Sequence, residues 1–209
     1  MEIVVLNNHF ELLASRAIFW CERSALILSD THFGKTAHFR REGISIPDHS
    51  FYKDLEVLDD LIIKYAPLSL IVVGDMFHSY YNKEVAVFAR WRDRYPRLDI
   101  HLAKGNHDIL HAEIYNDLKI MVHRSYVLDG FIFSHELCRD LEGFCFNGHI
   151  HPGVQIRGLA RQELKLPCFH FSMMSCTLPA FSRFTGLSLI TVRQEDQIFV
   201  IAGSEVMRY

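Results

Sequence analysis

Acids, amides and histidines gather in five short clusters: Asp30-Thr31-His32, Gly74-Asp75 with His78 close behind, Gly105-Asn106-His107-Asp108, His135, and Gly148-His149-Ile150-His151. Carboxylate oxygens and imidazole nitrogens at such spacings can converge on divalent cations, and an oxygen and nitrogen set without thiolate suits Mn²⁺, Fe or Zn²⁺. Any one cluster read alone is an ordinary polar turn. All five in one chain, each directly after an apolar run, form the pattern of a site assembled from several strand ends. Thirteen histidines among 209 residues point the same way. Gly74, Gly105 and Gly148 each precede a candidate ligand, where glycine allows a sharp turn or a close approach of backbone to an ion. Asp30 and His32 stand two apart, as do His149 and His151, so in extended backbone each pair would point to one side.

The elements that must position these residues are short apolar runs of strand length at 3–6, 17–20, 25–29, 68–73, 99–103, 130–134, 144–147, 168–172, 187–192 and 197–202. Between some of them helical periodicity appears. Phe51, Leu55, Leu58, Ile62 and Tyr65 fall on one face of a helix, and a second helix is predicted over 82–95. Strand and helix alternate in the first half, while the second half is mostly strands. This is an α/β core followed by a packed sheet. No repeat, low-complexity segment or Gly/Pro-rich linker divides the chain, so 1–209 reads as one domain.

A charge of −3, with 49% hydrophobic and 22% charged residues, fits a soluble globular protein and excludes a globally basic nucleic-acid binder. Local positive patches remain open. No secretory signal or membrane span is evident, and the five scattered cysteines form no CxxC pair, so the expected location is cytoplasmic, with cysteines that are buried rather than bridged.

In this order the clusters resemble the calcineurin-like metallophosphoesterases, whose pattern is D-x-H, G-D, G-N-H-[DE], H and G-H-x-H, with Ser134 standing before His135 where glycine is frequent. The resemblance implies a fold of two mixed β-sheets packed as a sandwich flanked by helices, four layers in α/β/β/α order. It implies two divalent metals, most readily Mn²⁺, with one held by Asp30, His32, Asp75 and His151 and the other by Asp75, Asn106, His135 and His149, Asp75 bridging. His107 would be the general acid, oriented by Asp108, and a hydroxide bridging the metals the nucleophile. Two divalent ions with two carboxylates and one hydroxide leave a net charge of about +1, which attracts a phosphate anion.

Phosphomonoesterases of this kind that act on protein carry arginines in GDxxDRG and RGNHE; here the segments read GDMFHS and KGNHD, which favours a diester. "DTHFGKTAHFRREGISIP", "VVGDMFHS" and "LPAFSRFTG" resemble the bacterial ligase-associated DNA damage response endonucleases. That resemblance implies cleavage of DNA in repair, with functional association to a DNA ligase and helicase. Lys35, Arg40 and Arg41 are candidate phosphate contacts, and His78 a candidate substrate-facing or supporting residue. The arginines at 90, 92, 94 and 97 form a second basic cluster. His9, His38, His49, His101, His111, His123 and His170 carry no motif and are expected to be structural. Two other functions compete: hydrolysis of a small nucleotide or nucleotide-linked lipid diester or pyrophosphate, and a non-catalytic scaffold on the same fold, as in a retromer subunit. The first would call for an insertion over the site, and the second for lost ligands; neither feature is present in the sequence.

Overall fold

The computed structural model describes the chain except residues 45–48, 79, 139–141 and 159–162. Parts of two quoted segments, 45–47 and 79, therefore lie outside the described residues, as does the side chain of His49.

The first sheet contains β1 (Glu2–Val5), β2 (Asn8–Leu12), β3 (Ile18–Trp20), β4 (Ala25–Leu28), β5 (Ser69–Val72), β6 (Asp99–Ala103) and β7 (Ile120–His123), hydrogen-bonded in that order. β1 to β4 form an antiparallel meander, and β4 to β7 run parallel. Parallel strands need crossovers, which are supplied by α1 (Lys35–Arg41), α2 (His49–Tyr65), α3 (Lys83–Asp93) and α4 (Ala112–Asp117). Both faces of β4 are buried, which is why "ALIL" is an unbroken apolar run.

The second sheet is built from β8 (Tyr126–Leu128), β9 (Phe131–Phe133), β10 (Phe144–Asn147), β11 (Pro152–Arg157), β12 (Glu163–Phe171), β13 (Ser175–Thr177), β14 (Ser188–Leu189), β15 (Gln197–Ala202) and β16 (Glu205–Arg208). Its main path runs β14-β11-β12-β13-β10-β9-β8, with β15 and β16 added alongside β12. β9, β10 and β13 are parallel neighbours.

Two cores result. One lies between the sheets and is aromatic: Phe10 and Trp20 meet Phe131, Phe133, Phe146 and Phe169, all fully buried. The other lies between the first sheet and the helices, where Leu26, Leu28, Leu70 and Val72 meet the expected α2 face of Phe51, Leu55, Leu58 and Ile62, with Tyr65 at its edge. α3 begins where the Asn82 side chain accepts the Glu84 and Val85 N–H groups.

The sandwich of two mixed sheets with flanking helices is thus the fold formed. Its helices gather on the first sheet. In the second sheet Val154, Cys168, Ile198 and Val200 form a further small cluster, with Ile156, Leu166 and Ile190 packed against it. Cys145, Cys168 and Cys176 are buried and all five thiols are free. No described helix is long and apolar enough to cross a membrane.

Candidate metal centre

The parallel strands β4, β5 and β6 end at one edge of the first sheet, and β9 and β10 end beside them in the second. Asp30 follows β4, Asp75 follows β5, Asn106 follows β6, His135 follows β9, and His149 and His151 follow β10. Within the first edge the Asp30 N–H donates to the Gly74 carbonyl and the His32 N–H to the Asp75 carbonyl, and the His149 N–H ties the second edge to the first by donating to Asp30 Oδ2.

Ligand atoms of Asp30, His32 and His151 all lie within 4.8 Å of one another, and so do those of Asp30, Asp75 and His135. His151 Nε2 is 3.3 Å from Asp30 Oδ1 and 3.5 Å from His32 Nε2. His135 Nε2 is 3.3 Å from Asp75 Oδ2 and 3.1 Å from His149 Nδ1, which places His149 beside the second group. Asn106 is exposed and lines the cavity that His135 also lines. The two groups share Asp30, not Asp75.

Buried Asp30 Oδ1 has no hydrogen-bond partner among the described residues. A fully buried carboxylate oxygen left so, facing two imidazoles, is costly unless a cation completes it. Burial, reinforced by the charge of Lys35, lowers the His32 pKa to about 3, so its ring is the neutral form that a metal requires. Burial alone would raise the Asp75 carboxyl, but the hydrogen bonds from His135 and from the His107 N–H outweigh it and hold the group well below its usual range. The donor set fits a pair of divalent ions.

The local backbone differs from the extended form assumed from the sequence. Asp30, His32, Asp75, His149 and His151 all have φ between 47° and 73°, the left-handed region that non-glycine residues rarely adopt. Each pair converges because of tight turns rather than strand alternation. Such strain persists where surrounding structure enforces it, and it concentrates at functional sites.

Glycine is required between them. A Cβ on Gly148 would lie 1.8 Å from Ser29 Oγ and 2.5 Å from Asp30 Oδ2, and one on Gly74, itself at φ 81°, would lie 2.1 Å from His135 Nδ1. Gly148→Ala is expected to cost about 1–3 kcal/mol through overpacking and to weaken Mn²⁺ binding. Urea unfolding and calorimetric titration check both, and wild-type values in both would refute the contact.

His107 is exposed, and its N–H donates to Asp75 Oδ1 at 2.8 Å. Its ring stacks on His78 with centroids 4.4 Å apart, and both rings lie 5.5 Å from His32. Burial, then the charges of His107 and Lys35, lowers the His78 pKa to about 4. His38, expected to be purely structural, packs on His78 at 5.4 Å.

Among the described residues Asp108 makes no hydrogen bond to the His107 ring. It is fully buried, and its oxygens accept the Phe77 N–H at 2.8 Å and the Gly105 N–H at 2.9 Å, clamping the loop after β5 to the loop after β6. Burial pushes its carboxyl up to about 7.

The candidate phosphate contacts separate. Half-buried Lys35 feels both Asp75 and Asp30, though burial outweighs them and lowers its pKa. Arg40 instead pairs with Glu84 at 3.0 Å, and the same carboxylate accepts the Gly34 N–H and the Thr36 hydroxyl, fastening α1 to α3. Arg41 is exposed. In the later cluster, Arg92 donates to the carbonyls of Leu118, Tyr95 and Leu98 and Arg94 pairs with Asp59, so these two serve the fold.

A family model described as calcineurin-like phosphoesterase matches residues 24–171, most of the chain and every candidate ligand. The chain belongs to this family. It is therefore a metal-dependent phosphoesterase by family, a class that binds divalent metals, and its Asp and His clusters supply places for them. Among solved structures it is similar to Pseudomonas putida nuclease MPE, with 29% identity and a TM-score of 0.87, the alignment covering 100% of this chain and 99% of that one. Yfce, a phosphoesterase from E. coli, aligns over 88% of this chain and 96% of its own at 13% identity with a TM-score of 0.44. No curated protein matches in sequence.

Proposed function

We propose that the protein is a dimetal phosphodiesterase that cuts DNA, with a role in DNA repair. The observation that carries this reading is the full-length likeness to a nuclease, at 29% identity and a TM-score of 0.87. The residues of the site are consistent with it. Asp30, His32, Asp75 and His151 would hold one ion, and Asp75, Asn106, His135 and His149 the other. Asp75 interacts with both His135 and His32, so its carboxylate can serve either ion, although Asp30 is the acid common to the two ligand groups. Divalent cations in such a pair activate a water and clamp the entering and leaving oxygens of an in-line displacement.

The chain's own groups do the rest. The His107 imidazole, anchored through its N–H on Asp75 and stacked on His78, protonates the departing oxygen. Lys35 holds positive charge beside the scissile phosphate. His78 supports His107, and exposed Arg41 is the remaining candidate for a flanking phosphate. No arginine follows Asp75 or precedes Gly105 to grip a monoester, since the sequence there reads Met76-Phe77-His78-Ser79 and Lys104.

With Mn²⁺, the protein is expected to cleave an aryl phosphodiester faster than the matching monoester, and to cut at least one of a panel of single-stranded, duplex, nicked and flapped DNAs. Turnover confined to the monoester would sink the diester reading. Cleavage of small nucleotide diesters with no action on any DNA would favour the small-substrate alternative.

A further inference from the structure

We propose that Lys104 and Arg124 form a subsite for the DNA strand beyond the scissile phosphate, an inference that rests on the nuclease reading. β6 and β7 are parallel and in register, with Ala103 opposite His123, and the Lys104 N–H donates to the His123 carbonyl at 2.9 Å. The two cations therefore leave adjacent strand ends side by side. They continue the edge that carries Asp30 after β4 and Asp75 after β5. The strand ends thus read acid, acid, lysine, arginine, and neighbouring strands are about 4.8 Å apart. Arg124 lies two strands beyond Asp75, roughly 10 Å, a span of a few nucleotides at ~3.4 Å rise per nucleotide in a duplex strand.

Both side chains line a cavity of about 740 Å³ that also reaches Asn106 and His135, so the cavity opens directly onto the candidate metal centre. Ser125 and Ser134 also line it, and Glu136 is the one acid among its described lining residues. Lys104 and Arg124 are exposed, and neither forms an ion pair among the described residues. A second cavity of about 760 Å³ also borders Glu136 and Leu137, but among its described lining residues Glu136 and Asp196 outnumber Arg193. Charge therefore directs a phosphate backbone into the first.

The test compares wild type with Lys104→Ala/Arg124→Ala on labelled single-stranded oligonucleotides from two to twelve nucleotides, at several salt concentrations with Mn²⁺. Melting temperature serves as the fold control, and Lys104→Arg/Arg124→Lys as the charge-preserving variant. In the double alanine variant KM for the longest oligonucleotide is expected to rise by about tenfold or more, the penalty growing with length. Its salt slope should fall by about 1.4, which is two single-strand phosphate contacts, while the charge-preserving variant recovers most of the slope. An unchanged slope and KM in the double alanine variant, with a wild type that cuts DNA, would overturn this inference alone. A wild-type protein that turns over an aryl diester but cuts none of the single-stranded, duplex, nicked and flapped DNAs would overturn the nuclease reading and this subsite with it.

Discussion

Asp30→Asn is expected to abolish the metal response of the protein and to lower phosphodiester turnover by on the order of 10³-fold or more, since the clamp on both reacting oxygens goes with the metals. Asp30 would hold the first ion and lies within 4.8 Å of the Asp75 and His135 ligand atoms as well, so neutralising it removes charge from one ion site and from beside the other. It is also fully buried, and its second oxygen accepts the Ser29 hydroxyl and the His149 N–H, so no neighbouring acid can swing in as a substitute. The clearest readout is thermal. A ligand at a hundred times its Kd stabilises the native state by about 2.7 kcal/mol, or roughly 5–10 °C for a chain of this size. Wild type should show a Mn²⁺ shift of that order, and Asp30→Asn little or none. A variant whose melting temperature rises with Mn²⁺ as wild type does would remove Asp30 from the metal site.

Much of this site was legible because its chemistry sits at strand ends. "ALILSD" and "LIVVGD" announce buried parallel strands by unbroken apolar runs, and the break into acid marks where each run reaches the sheet edge. The α2 face was legible for the same reason, because four of its residues repeat at helical spacing under one core. The elements missed carry weak local signals. β2 is "NHFEL", where only Phe10 and Leu12 are buried apolar residues; β11 opens on Pro152-Gly153; β13 is only Ser175–Thr177; and the proposed strand over 187–192 reduces to Ser188–Leu189.

Other features depend on contacts distant in sequence. Asp108 stands next to His107 in the chain, yet its oxygens answer Phe77 and Gly105, because the loops after β5 and β6 need a buried acceptor between them. Arg40 follows the first ligand pair as a phosphate contact would, but Glu84 of α3 takes it. The left-handed backbone at five candidate ligands has no signature in side-chain type, since Asp and His tolerate that conformation without requiring it. Lys104 and Arg124 became neighbours only through the register of β6 on β7.

His107→Asn separates acid catalysis from metal binding. Neither candidate ligand group contains the His107 ring, and the backbone N–H that fixes Asp75 survives the substitution. Metal content and the Mn²⁺ melting shift should therefore remain those of wild type. Turnover of DNA should fall by about 10²–10⁴-fold, the usual worth of a positioned general acid. The size of the loss should depend on the leaving group. A nucleotide alkoxide departs poorly without a proton, whereas a nitrophenolate carries its own charge well, so the aryl diester should lose much less than DNA does. His78 enters through the same ring: stacked at 4.4 Å, it limits the orientations open to His107. His78→Ala should then reduce DNA turnover by a smaller factor and show the same leaving-group bias, because it acts only through the proton donor. Equal losses on both substrates in His107→Asn would mean that the imidazole binds the transferred phosphate instead of protonating the departing oxygen. Full activity on DNA would remove it from the reaction.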